Sequence, residues 1–176
     1  LERCLFGEQP KGFRMVNVIL HSGSALLLWA VLKQLRIPGA WLGAAMFAVH
    51  PVAVASVAWI SELKNTLALP WYLLSLWSYL RFETAAAENR QARGHYAASL
   101  GFLLLALTTK TATVMLPAVA LLLVWWQRRR ITWQDAQRLT PHFVLALAFG
   151  LLTVWHQKHG AIQGVTVQTE AFVGRL

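Results

Sequence analysis

The chain has 176 residues, of which 57% are hydrophobic and only 13% charged, with a mean hydropathy of +0.48. A soluble domain carries about 25% charged and about 45–50% apolar residues. This composition therefore excludes an ordinary soluble protein and predicts an all-α, polytopic membrane helical bundle. The net charge is +9, from 16 Lys+Arg against 7 Asp+Glu. The bases sit in short clusters between apolar runs, as in membrane loops, which argues against nucleic acid as a partner.

A membrane-spanning helix needs about 20 mostly apolar residues. Six apolar segments appear in chain order: 16–32, 37–60, 63–80, 95–109, 111–126 and 141–155. The last three are short for full spans unless their polar flanks continue the helices, so some are read as short or re-entrant. Lys110 splits one long apolar run into the fourth and fifth. Pro51 ends the regular part of the second, because proline removes a backbone donor. Residues 84–94, beside Glu83, read as the one solvated internal loop. The chain starts at Leu1 and stops in a polar stretch, which reads as a fragment of a longer protein. Residues 1–15 are then the tail of a first outward loop, 16–157 the transmembrane helical region and 158–176 the start of another outward loop.

Loop charges test the topology. Lys33 and Arg36 follow the first segment, Arg81, Arg90 and Arg93 the third, and Arg128, Arg129 and Arg130 the fifth. All three connections lie on one side if every segment spans. The positive-inside rule assigns that side to the cytoplasm, and His50–Lys64 and Lys110 then face outward. Trp41, Trp59, Trp125, Trp126 and Trp155 lie near segment ends, where amphipathic rings favour the headgroup zone.

No phosphate-binding glycine loop, zinc pattern or nucleophile elbow is present. His156 and His159 are three apart with no further ligand in sequence reach, so no metal site is assigned. The outward stretch from His50 through Ser56, Ser61, Glu62, Lys64 and Asn65 sets polar groups beside apolar residues at membrane depth. Such groups are costly there and point to a functional site by default. Lys110, between Thr109 and Thr111, falls on the same side. Lysine ammonium groups are compact charges suited to an anionic head group such as a lipid phosphate. The competing reading is loop lysines snorkelling to water. His50 also reads as a helix-end histidine. In the first segment, Asn17, His21, Ser22 and Ser24 fall close to one face at helical spacings and are expected to bond other helices.

Three stretches carry a family resemblance. They are Gly12-Phe13-Arg14-Met15-Val16-Asn17-Val18-Ile19-Leu20-His21, Phe47-Ala48-Val49-His50-Pro51-Val52, and Ser56-Val57-Ala58-Trp59-Ile60-Ser61-Glu62-Leu63-Lys64-Asn65. With Leu107-Thr108-Thr109-Lys110 and Met115-Leu116-Pro117, they resemble the multi-span membrane proteins with C-terminal tetratricopeptide repeats. Those are GT-C glycosyltransferases related to protein O-mannosyltransferases. The resemblance covers residues 1–155. It implies transfer of a sugar from a polyprenyl-phosphate sugar donor to an extracytoplasmic acceptor, with protein Ser/Thr hydroxyls as candidates. The implied chemistry is inverting, with an acid of the first outward loop as base, upstream of Leu1. Lys64 and Lys110 would hold the leaving phosphate, and His50, Glu62 and Asn65 complete the candidate substrate-binding set. No other cofactor is implied. The family pattern often has Glu where Ala55 stands and Arg where Leu63 stands.

The implied partners are the lipid bilayer, the lipid-linked sugar donor and a protein acceptor. A bacterial plasma membrane is the expected location, with the endoplasmic reticulum membrane as the alternative. Two other functions compete with the enzyme: a transporter of a lipid-linked substrate and a non-catalytic membrane scaffold.

Overall fold

The computed structural model describes residues 10–53 and 63–160. Among them every regular element is helical. We label the α-helices α1 (Pro10–Gln34), α2 (Ala40–Val49), α3 (Leu63–Ala87), α4 (Arg93–Thr109), α5 (Leu116–Arg128) and α6 (Trp133–Gly160), with a 3-10 helix, Thr111–Met115, leading into α5.

The chain punctuates itself where local chemistry demands it. After α1, Arg36 and Gly39 take left-handed backbone (φ 58° and 74°), turning the chain into α2. Helix α2 stops at His50, which is extended (φ −65°, ψ 128°), because the residue before a proline is pushed out of the helical region. Residues 51–53 are helical again. Helix α4 stops at Lys110, also extended (φ −152°, ψ 122°), before the 3-10 turn. Helix α6 opens at Thr132, whose hydroxyl accepts from the Asp135 N–H at 3.3 Å while Asp135 Oδ2 accepts the Thr132 N–H at 2.9 Å. This reciprocal cap satisfies two otherwise orphaned donors.

Helix α3 is the hub. It packs on α1, α4 and α5, while α6 packs on α4, α5 and the 3-10 turn. Leu73, Leu76 and Leu80 lie on one stripe at three- and four-residue spacing. They meet Val31 and Leu35 from the first helix and its turn, Ala120 and Val124 from α5, and Leu139 from α6 in a single apolar cluster. A second cluster of Leu103, Leu107 and Leu116 joins α4 to α5.

Two sets of contacts fix the ends of the bundle. Asn65 bonds Lys110, and Thr153 bonds Thr111, at one end. Gln34 bonds Thr84, and Glu83 bonds Arg128 and Arg138, at the other. The connections that carry Arg36, Arg90 and Arg129 therefore share one end, and Lys110 sits at the opposite one.

Among the described residues, three helical stretches are long and apolar enough to cross a membrane: Arg14–Gln34, Thr111–Arg128 and Trp133–His159. They carry exposed apolar side chains such as Ile19, Leu26, Leu122, Leu147 and Leu151, which suits a lipid-facing surface. Each of the six expected apolar segments overlaps a helix, and three of those helices fall short of a full apolar span. Helix α2 has 10 residues and rises about 15 Å, half of a hydrocarbon core. Helix α3 is long enough at 25 residues, but Asn65, Thr66, Ser75, Ser78 and Glu83 interrupt its apolar character. Helix α4 is 17 residues long. The sixth segment starts at Trp133, not at Pro141, because the Thr132–Asp135 cap sets its first turn upstream.

Candidate functional site

Helix α1 brings three polar side chains to one face. Asn17, His21 and Ser24 are four and three residues apart, so they stack on one side of the helix. Asn17 is buried and its Oδ1 accepts the Thr66 hydroxyl at 2.8 Å. Ser24 is buried too and donates back to the Leu20 carbonyl at 2.8 Å. His21 Nε2 lies 3.1 Å from the Ala48 carbonyl, with its ring 4.9 Å from Phe47, joining α1 to the end of α2. Ser22 lies off this face and is exposed, since it sits about 100° around the helix from His21.

This face borders a cavity of about 660 Å³ at the Lys110 end of the bundle. Its wall area is mostly apolar, from Phe47, Val52, Ala53, Ala68, Leu69 and Ala112, with polar tips from residues such as His21, Lys110 and Thr113 among them. From α3 come Asn65 and Tyr72, seven residues apart on one stripe of that helix, with Thr66 beside them. His50 and Lys110 come from the two points where helices break. His50 Nδ1 accepts the Val52 N–H at 3.2 Å, which leaves Nε2 as the ring's proton-bearing nitrogen. Lys110 Nζ donates to Asn65 Oδ1. Among the described residues no carboxylate lines this cavity or pairs with Lys110, so it carries one cation in an apolar setting. Such a pocket, apolar in area with convergent polar groups, is suited to one charged end of an otherwise greasy ligand.

The sequence candidates divide accordingly. His50, Asn65 and Lys110 border the cavity together. Lys64 does not line it: it is exposed, about 100° around α3 from Asn65. Glu62 and Ala55, with Ser56, Trp59 and Ser61, lie outside the described residues. Leu63 is half-buried at the first position of α3.

Two mammalian proteins show a likeness to this chain. It is 30% identical over 106 residues to "Protein O-mannosyl-transferase TMTC2" of mouse, and equally to that of human. The match takes in 59% of this chain and 12% of each relative. The chain is distantly related to them and spans a small part of their length. No family model matches the chain, and no solved structure does.

At the arginine-rich end the structure builds a charged cluster that sequence reasoning missed. Glu83 belongs to α3 and not to a solvated loop: it is 5% exposed. It sits three residues after Leu80 and seven after Leu76, on the same buried stripe. Its carboxylate accepts from Arg128 at 2.5 Å, from Arg138 at 3.4 Å and from the Tyr79 hydroxyl at 3.3 Å. Asp135, 1% exposed, accepts a second Arg128 nitrogen at 3.0 Å. The turn after α3 is thus shorter than expected, since α3 runs to Ala87. The signal available in sequence was Thr132-x-x-Asp135, a capping pattern ahead of an apolar run.

A second polar group lies inside the bundle. His142, fully buried on α6, bonds the Ser99 hydroxyl at 2.9 Å, and Ser75 donates to the Ser99 carbonyl at 2.8 Å. The imidazole stands edge-on to Tyr79 and Tyr96, at 5.5 and 5.6 Å. These contacts tie α3, α4 and α6 together, as polar groups do between membrane helices.

Proposed function

We propose that this chain is part of the membrane domain of a glycosyltransferase that moves a sugar from a polyprenyl-phosphate sugar to an extracytoplasmic acceptor. The reading is carried by one observation: a mostly apolar cavity lined by a lysine, Lys110, that Asn65 holds at the end of the bundle away from the arginines. The distant relation to O-mannosyl-transferases supports the sugar chemistry, and protein Ser/Thr hydroxyls are the proposed acceptors.

On this reading the acceptor hydroxyl attacks the sugar carbon as the bond to the donor phosphate breaks. The proton leaves to a carboxylate base, which the family resemblance locates upstream of Leu1. Negative charge grows on the departing lipid phosphate. A fixed cation aimed at that charge stabilises the transition state more than the ground state. Lys110 has that role here, and Asn65 fixes its rotamer. His50 Nε2–H is a second donor at the same cavity. Lys64 is left at the cavity's flank and contributes to the surface potential alone. The arginine-rich end faces the cytoplasm in this arrangement.

The test uses the full-length protein in membranes. Lys110→Ala abolishes glycosyl transfer while the protein remains folded and membrane-inserted, and Lys64→Ala leaves transfer within about twofold. Normal transfer by Lys110→Ala removes Lys110 from the chemistry.

A non-catalytic scaffold is the second reading. The apolar Leu63 at the start of α3 favours it, since the family pattern often carries an arginine there. Full-length protein that transfers no sugar from any polyprenyl-phosphate donor, with Lys110 intact, decides for the scaffold.

A further inference from the structure

The arginine-rich end holds a second cleft, of about 800 Å³, between the turn after α1, the end of α3 and the end of α5. Two of its arginines, Arg36 and Arg129, pair with no carboxylate among the described residues. The third, Arg128, is committed to Glu83 and Asp135, and Glu88 is paired with Arg90 at 3.1 Å. Among the described residues the cleft therefore carries two guanidinium groups with no carboxylate partner, beside the paired carboxylates of Glu83 and Glu88.

The backbone makes these two residues unusual. Of three non-glycine residues with left-handed backbone among those described, two are Arg36 (φ 58°) and Arg129 (φ 56°). Each follows the last turn of a helix: the Arg36 N–H bonds the Lys33 carbonyl at 3.0 Å, and the Arg129 N–H bonds the Trp125 carbonyl. Glycine is the ordinary residue at such a position, because a Cβ there is strained. A strained residue at each of two turns lining one cleft is grounds for a functional hypothesis. The helix dipole favours a cation at each end taken singly, but it does not require a branched guanidinium in place of lysine or asparagine.

The surroundings specify the ligand. Trp126 also lines the cleft, and Leu122 and Trp125 are exposed on the same helix, so the cleft opens beside a lipid-facing surface. Guanidinium groups bind phosphate through paired N–H donors. Basic pockets between membrane helices hold anionic headgroups. We propose that this cleft binds the phosphate of an anionic phospholipid from the arginine-side leaflet, held by Arg36 and Arg129, with its acyl chains along Leu122 and Trp125. The proposal is independent of the glycosyltransferase reading, since it involves the opposite end of the bundle.

The experiment is native mass spectrometry of the detergent-purified full-length protein, titrated with phosphatidylglycerol or phosphatidylcholine. The wild type retains phosphatidylglycerol over phosphatidylcholine. Arg36→Gly with Arg129→Gly lowers phosphatidylglycerol retention by about 30-fold, while Tm stays level or rises because the backbone strain is relieved. Should the glycine pair fail to fold, Arg36→Gln with Arg129→Gln loses the same retention. Equal retention of the two lipids by the wild type overturns the proposal. So does undiminished phosphatidylglycerol binding by the folded variants. Displacement of the lipid by millimolar inorganic phosphate overturns the lipid assignment.

Discussion

Glu83 of α3 and Arg128 of α5, 45 residues apart in sequence, meet at 2.5 Å beneath the arginine-rich end of the bundle. The carboxylate is almost fully buried while the guanidinium is about a third exposed (6% and 35% of each side chain). Burial of one partner makes the pair asymmetric. Removing Arg128 leaves Glu83 with Arg138 at 3.4 Å and takes from Asp135, which is 1% exposed, its guanidinium partner. Removing Glu83 leaves two arginines that reach solvent, and Arg128 keeps its bond to Asp135 at 3.0 Å.

Glu83→Ala therefore destabilises the protein by about 1.5–3 kcal/mol, the loss of its charged hydrogen bonds. Arg128→Ala costs more, about 3–5 kcal/mol, because it takes the shared partner from two buried carboxylates. Thermal unfolding in detergent measures both. A surface glutamate in a solvated loop would shift stability by less than about 0.5 kcal/mol, and that outcome would place Glu83 outside the bundle.

The cap of α6 gives a smaller, separable effect. Thr132→Ala removes the hydroxyl that accepts the Asp135 N–H, for a loss of about 1 kcal/mol. Thr132 and Asp135 act on each other, so the double variant Thr132→Ala/Asp135→Ala falls short of the sum of the single losses. Strict additivity would show that the two residues do not form a reciprocal cap.

Ser99 anchors the buried histidine. With Ser99→Ala, the His142 ring loses its bond at Nε2 and is left buried with neither nitrogen paired to a described residue. The expected loss is about 1–3 kcal/mol. His142→Phe restores much of it in the Ser99→Ala background, because the orphaned polar atoms are gone. No rescue by that second change would mean that the serine matters for packing alone.

The two-ended arrangement is open to labelling. In a Cys4→Ser background, a cysteine at Ala112 and one at Arg130 react with a membrane-impermeant maleimide from opposite faces of sealed vesicles. Reaction of both from the same face is incompatible with the alternation of α4, α5 and α6.

Much of this arrangement is legible in the residues. The apolar run of α1 is bounded by Arg14 and by Lys33, so its extent follows from composition. Lys110 and the His50-Pro51 pair announce helix breaks, since one interrupts an apolar run and the other bars helical backbone. The charge bias of the loops groups Arg36, Arg90 and Arg129 at one end. Other features need the tertiary structure. Glu83 reads as solvent-facing because its partners lie 45 and 55 residues away. Lys64 and Asn65 are neighbours in sequence, yet the 100° step of a helix turns one to the cavity and the other aside. The eight polar-leaning residues before Pro141 hide the start of α6, although its capping pattern was there to be read.

In the proposed function Lys110, held by Asn65, receives a lipid-linked phosphate. The most direct measurement of this is equilibrium binding of a polyprenyl-phosphate sugar to the full-length protein, comparing Lys110→Gln with Lys64→Gln. Loss of a charged hydrogen bond predicts weakening of about 10- to 100-fold for Lys110→Gln, with Lys64→Gln within about twofold of wild type. Equal affinity for wild type and Lys110→Gln would show that Lys110 does not hold the phosphate.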